Sequence, residues 1–256
     1  MTGLSLADIL PSLDPWLIVG MAAIFLLAGT IKGFLGIGLP ASAMGFLTLF
    51  IPPTEAIPLL WLSILATNVM QFSRAPQKRE IVSTYWLFAL AIVISIFITS
   101  MFMADYPAAL LTVAIGFAMI IFSLNLLIGF SLPIGPGRGW QVGVGLISGI
   151  LGGLSSIWSP AVAMYLVARD TPKERFIGAS GFLFLAGVLP LGAGQVIAGL
   201  ITIPVLLKSA VCMIFVLAGF RVGELLRARI SQDGFRTVVL IAFLIMGVRL
   251  IATGLL

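Results

Sequence analysis

The chain lacks histidine altogether, has a single cysteine and carries little charge: Asp, Glu, Lys and Arg make up 9% of its 256 residues. Without histidine there is no Ser-His-Asp triad, no HExxH zinc site and no histidine-held haem. The one cysteine, Cys212, forms no intrachain disulfide and says nothing of the redox compartment. No cofactor and no metal site is expected. Soluble domains run near ~25% charged and ~45–50% apolar, whereas 61% of this chain is hydrophobic. That excludes an ordinary soluble globule, and so apolar a chain is no disordered tail either.

What the chain has is long apolar runs. They lie at about 16–50, 56–72, 81–103, 108–130, 140–168, 176–199, 203–220 and 235–256. Runs of 18 or more apolar residues read as membrane-spanning helices, and their continuity excludes the alternating ~10-residue strands of a barrel. The net charge of +5 is spread over short loops between these runs, the pattern of a membrane protein and not of a nucleic-acid binder. Residues 1–16 carry Asp8 and Asp14 and no basic residue, unlike a secretory signal peptide.

Two segments are odd. Segment 16–50 is too long for one crossing and is interrupted by Gly33, Gly36, Gly38 and Pro40. Segment 140–168 is interrupted by Gly149, Gly152, Gly153 and Pro160. The two match: Gly29, Gly33 and Gly36 recur as Gly145, Gly149 and Gly152, and Pro40-Ala41-Ser42-Ala43-Met44 recurs as Pro160-Ala161-Val162-Ala163-Met164. Each is followed by a Pro and a Glu near a helix start (Pro53 and Glu55, Pro172 and Glu174) and then by three plain spans. The chain therefore reads as two related halves, 1–130 and 140–256, joined by the Pro/Gly-rich loop 131–139.

Charge decides between two layouts. If the odd segments are single crossings, the halves run the same way and the basic loops 74–79 and 221–236 face opposite sides, against the positive-inside rule. If the odd segments are re-entrant hairpins, the halves are inverted. Arg74, Lys78, Arg79, Arg138, Arg169, Lys173, Arg175, Arg221, Arg227, Arg229 and Arg236, eleven of the fourteen basic residues, then share the inner side. The fold class expected is thus an all-α polytopic membrane protein of two inverted repeats, each a broken or re-entrant helical hairpin followed by three transmembrane helices. Broken helices in inverted repeats point to a transporter whose site lies where the breaks meet.

The motifs Gly33-Phe34-Leu35-Gly36-Ile37-Gly38 and Gly149-Ile150-Leu151-Gly152-Gly153 resemble the glycine-rich motifs that open each half of the TauE/SafE sulfite exporter family, also called the TSUP family. The length, the two halves and the short loops fit over nearly the whole chain. Where many members continue with glycines, Leu39-Pro40 follows here. The resemblance implies a multi-pass protein of the cell membrane, a bacterial inner membrane, that transports sulfite, sulfoacetate or other organosulfonates and is not an enzyme.

The residues give the expected site its chemistry. Proline is favoured at the first position of a helix, so half-helices should start at Pro40 and Pro160 with unpaired N–H groups and positive dipole ends pointing inward. Such ends bind anions, and Gly33, Gly36, Gly38, Gly152 and Gly153 let backbone approach a ligand. Ser42 on the first tip and Ser155, Ser156 and Ser159 on the second offer hydroxyls, with Ser159 placed to cap its helix. Lys32, a charge inside an apolar segment, is a functional hypothesis by default; the bland alternative is a lysine snorkelling into a water-filled vestibule. Asn68, Gln195 and Arg249 are further substrate-binding candidates, each with a helix-packing or interfacial alternative. Trp158 either walls the cavity or fills space. Trp16, Trp61, Trp86 and Trp140 read as interfacial belt residues, and Lys208 as a snorkelling one. A passive small-anion channel of the same architecture is the alternative function. The partners are a small anion and the bilayer, with a homo-oligomer left open.

Overall fold

A computed structural model describes residues 15–129, 135, 137–227, 229 and 232–256. Asp8, Asp14, most of the 131–139 loop and the side chains of Trp16 and Lys173 lie outside that description. Among the described residues there is no strand. Among the described residues eleven helices succeed one another: α1 (Pro15–Leu35), α2 (Leu39–Leu47), α3 (Pro53–Leu59), α4 (Trp61–Ser73), α5 (Lys78–Met101), α6 (Ala108–Ile128), α7 (Arg138–Ser155), α8 (Ser159–Ala168), α9 (Lys173–Ile197), α10 (Ile203–Arg227) and α11 (Gln232–Leu255).

Among the described residues six stretches are long and apolar enough to cross a membrane: Pro53–Ser73, Lys78–Met101, Ala108–Ile128, Glu174–Ile197, Ile203–Arg227 and Gly234–Leu255. The first is not the plain span expected. It breaks at Leu60 between α3 and α4, because Pro58 inside α3 can neither donate its turn's hydrogen bond nor clear the preceding carbonyl. The Ser209 hydroxyl of α10 fills the gap, donating to Leu59 O at 2.8 Å and accepting from Leu62 N–H at 3.3 Å. Trp61, at the break, is a packing residue and not a belt residue: its indole N–H donates to Val188 O at 2.9 Å and its ring covers Gly192. Trp86 and Trp140 are exposed, as a belt requires.

The two odd segments turn back on themselves. Ser148 Oγ on α7 donates to Trp158 O, ten residues on, at 2.9 Å; a continuous helix would hold those residues ~15 Å apart. In the first segment a Cβ at Gly38 would come within 3.6 Å of the Ile31 side chain. The return limbs α2 and α8 have 9 and 10 residues. At ~1.5 Å per residue they span about half of a ~30 Å hydrocarbon core.

Each hairpin packs through its glycines. A Cβ at Gly29 or Gly33 of α1 would collide with the Val216 or Phe220 carbonyl of α10, and one at Gly219 or Gly223 with α1 in return. On α7, Gly145 faces Phe88, Gly149 faces Ser95 and Gly153 faces Thr99, all on α5. Backbones meet this closely only where side chains are absent, which is how helices associate when lipid removes the hydrophobic drive.

One end of the bundle collects the basic loops. Arg74 pairs with Glu224 at 2.7 Å, Arg175 with Glu80 at 2.8 Å, and Arg221 with Glu224 at 3.3 Å. Gln71 Nε2 donates to Ile177 O at 2.8 Å and Arg236 to Leu126 O at 2.6 Å. Here α4, α6 and α10 end, and α5, α9 and α11 begin.

Candidate functional site

The hairpin tips are built from left-handed backbone. In the first, Gly36 (φ 83°) and Gly38 (φ 98°) take conformations that glycine adopts without cost. Gly36 N–H closes α1 on Lys32 O at 2.7 Å, and Gly38 is the N-cap of α2, with Pro40 in its first turn. The second tip uses Ser156 (φ 59°) for the same reversal. A non-glycine residue there costs roughly 1–2 kcal/mol, and such strain collects at functional sites. Trp158 is the N-cap of α8 and Pro160 lies in its first turn. Ser159 does not cap, contrary to expectation. It is already inside the helix, where its hydroxyl cannot reach the first-turn N–H groups, and its Oγ has no partner.

Both tips open onto one cavity. Gly38 and Pro40 from the first, Ser156, Trp158 and Ser159 from the second, and Lys32 with Asn68 line it, closed by Ile64 and Phe184. Its volume of about 10 Å³ admits one water. Phe184 stands ten residues, ~15 Å, into the 24-residue Glu174–Ile197 stretch, close to its middle.

Lys32 is 2% exposed. Its ammonium donates to Asn68 Oδ1 at 2.5 Å and lies 5.6 Å from the centre of the Phe184 ring, within cation–π range. Among the described residues no carboxylate pairs with it. A buried cation without a counter-ion is costly, and an arriving anion removes that cost. Around it, Asn68 Nδ2, Ser156 Oγ, Trp158 Nε1 and Ser159 Oγ are all buried and without partners. Buried polar groups are ordinarily satisfied, so this cluster of open donors is prepared for something that accepts.

The remaining predicted residues separate by position. Gly33 and Gly36 line a second cavity, of about 220 Å³, that extends from Lys32 to Gln71, Arg74, Glu224 and Arg227 at the basic end. Lys32 thus stands between the small cavity and this vestibule. Gly152 admits Trp158, whose Cβ would lie 2.8 Å from a Cβ added there, and Gly153 admits Thr99. Ser42 donates to Gly38 O and Leu39 O, and Ser155 bonds Leu151 O and Ile157 N–H, so both hydroxyls serve their own hairpins. Gln195 is buried with its amide unpartnered but lines neither cavity. Arg249 is exposed on the outer face of α11 and lines neither. Phe184 and Ile64 were not foreseen. An apolar residue in an apolar span carries no signal.

The arrangement is a small pocket between two half-helix starts, holding the buried Lys32, with a wider cavity on one side lined by Arg74 and Arg227 and by Glu174 and Glu224. Among the residues lining the small pocket there is no carboxylate and no histidine. No curated protein and no solved structure matches the chain. The model of the sulfite exporter TauE/SafE family matches residues 21–250. The chain, a multi-pass membrane protein by its six apolar helices, therefore belongs to the sulfite exporter TauE/SafE family, a family of membrane transporters.

Proposed function

We propose that this protein is a secondary transporter of small sulfur-containing anions, sulfite, sulfoacetate or another organosulfonate, acting in the cell membrane of a bacterium. The anion is held between the starts of α2 and α8, against Lys32. The observation that carries this reading is the buried Lys32 with no carboxylate partner, in a cavity shared by both tips whose other polar groups are partnerless donors. The oxygens of such an anion accept hydrogen bonds, which is what these donors lack.

The two halves are inverted repeats in this reading, with the basic end on the inside. Support comes from the packing. Gly29 and Gly33 lie against Val216 and Phe220 as Gly145 and Gly149 lie against Phe88 and Ile92, and α4 ends where its counterpart α9 begins. The vestibule then faces the cytoplasm, with Arg74 and Arg227 set among Glu174 and Glu224 along its wall. Export gains about 2.3 kcal/mol per negative charge per 100 mV, inside negative.

A cavity with room for one water favours an occluded carrier over an open pore. Proteoliposome flux separates them. Labelled sulfite or sulfoacetate should enter saturably and be competed by unlabelled substrate. Unsaturated, conductance-level currents would establish a channel instead, and binding of carboxylates alone would remove the sulfur-anion assignment.

A further inference from the structure

We infer that the Trp158 indole is the gate on the outer side of the anion pocket, a plug that has to leave its slot before the anion can pass. The inference rests on the inverted-repeat and anion readings above. It adds the residue that keeps the pocket shut on the face away from the vestibule.

The two halves are filled differently at matching positions. Gly36 matches Gly152 in the repeat, and Gly38 matches Trp158, each two residues before its proline. A Cβ at Gly36 would meet the Ile177 side chain at 3.8 Å, and the space beyond is the vestibule. At Gly152 the same atom would stand 2.8 Å from Trp158 Cβ and 3.0 Å from Ile96 Cδ1. Ile96 has a vestibule counterpart of its own. Phe220 faces Gly33 as Ile92 faces Gly149, so Glu224, four residues on, corresponds to Ile96. The second half thus carries the frame of a vestibule, with an indole where the first half has open space. Ile96 lies toward the end of α5 away from the basic loops, so in the inverted arrangement this frame faces the outside.

The slot fits the indole and holds it by packing alone. A Cβ at Gly187 on α9 would come 3.1 Å from Trp158 Cε2, and the Phe184 ring stands edge-on, with centroids 6.0 Å apart at 84°. Buried indoles ordinarily find an acceptor, as Trp61 does on Val188 O, but Trp158 Nε1 has none. Ser148 holds the Trp158 carbonyl, so the backbone stays in place while the side chain turns, and the turn breaks no hydrogen bond. Trp158 also lines the anion pocket, so its departure joins that pocket to the outer frame.

The test is the labelling rate of a single cysteine, Ser159→Cys in a Cys212→Ser protein, by a membrane-impermeant thiosulfonate added to either side of oriented vesicles. With Trp158 in place the outside rate should be low. Trp158→Ala should raise it at least about tenfold, because the rate follows the population of open conformers. Saturating methanesulfonate should slow it again. An outside rate unchanged by Trp158→Ala overturns the gate and leaves the anion site standing. A rise from the inside only overturns the gate and the inverted reading together, whereas a rise from outside without protection by methanesulfonate supports the gate and overturns the anion reading. Should Trp158→Ala fail to fold, Gly187→Ala, which crowds the indole out of its slot, should raise the same rate, and an unchanged rate there counts equally against the gate.

Discussion

Ser156→Gly should make the protein more stable and a worse binder. Ser156 sits in left-handed backbone at φ 59°, while the first tip reverses through Gly36 in the same region. Glycine there removes a strain of roughly 1–2 kcal/mol. It also removes a buried hydroxyl that has no partner, a further ~1–3 kcal/mol in the empty protein. Against this stands ~0.5–1 kcal/mol for the extra freedom of glycine in the unfolded chain. The balance is a gain of about 1–4.5 kcal/mol, each kcal/mol raising the thermal midpoint by roughly 2–4 °C in a chain of this size. The same change removes a donor to a charged ligand, ~1.5 kcal/mol or more, which is about tenfold in affinity. A tenfold weaker ligand at fixed excess loses ~1.4 kcal/mol of ligand-induced stabilisation. Thermal unfolding with and without methanesulfonate reads both effects: the empty midpoint rises and the ligand shift shrinks. Ser156→Ala, which loses the hydroxyl and keeps the strain, should show the same reduced shift with a smaller gain in the empty protein. A Ser156→Gly protein with an undiminished ligand shift would show that the hydroxyl does not touch the anion, and a lower empty midpoint would show that the left-handed turn is not strained.

Lys32→Met should abolish tight anion binding while leaving the protein folded and no less stable, because it deletes a buried charge that lacks a counter-ion; Lys32→Arg should retain part of the activity, and wild-type affinity in Lys32→Met would withdraw the residue from the site. Arg249→Gln should leave affinity for methanesulfonate unchanged by titration, since Arg249 is exposed and lines neither cavity. Ser209→Ala should lower the thermal midpoint by an amount equivalent to about 1–2 kcal/mol, because the carbonyl of Leu59 and the N–H of Leu62 both lose their partner at the Pro58 break; an unchanged midpoint would mean that water fills the break equally well. Cysteines placed singly at positions 78 and 173 on a Cys212→Ser background should label from the same side of the membrane, and labelling from opposite sides would end the inverted reading.

The breaks were legible because Gly36, Gly38, Pro40 and Pro160 interrupt runs that are otherwise continuous, and punctuation survives in any apolar context. Lys32 and Asn68 were legible as polar residues where polarity is expensive. The roles of Ser155, Ser156 and Ser159 were not separable: only the left-handed turn at 156 decides that one hydroxyl points into the hairpin and its neighbour into the cavity. Arg249 illustrates a more general blindness. On α11 the buried face is Val239, Leu240, Phe243 and Leu250, while Val238, Ile241, Ile245 and Val248 are exposed. In a soluble protein those faces would differ in polarity and reveal the helix's phase. In lipid both are equally apolar, so the side on which Arg249 falls leaves no trace in the sequence. The Pro58 break was missed for a related reason: a lone proline in a membrane helix is common, and whether it parts the helix depends on a distant hydroxyl, Ser209, being there to receive it.

The interlocking of α1 with α10 has a consequence for biosynthesis. The glycine face of α1 finds its partner only when Val216 and Phe220 have been made, about 190 residues after Gly29. At ribosomal rates of ~5–20 residues per second this takes roughly 10–40 s. For that time the first hairpin sits in the bilayer with a bare backbone groove, and Lys32 has only the helices made so far to shield it from lipid, at a cost near ~2.5–3.5 kcal/mol if they do not. The nascent chain therefore passes through a long unfinished stage, and fragments released before α10 should be short-lived even though every span they contain is apolar enough to insert.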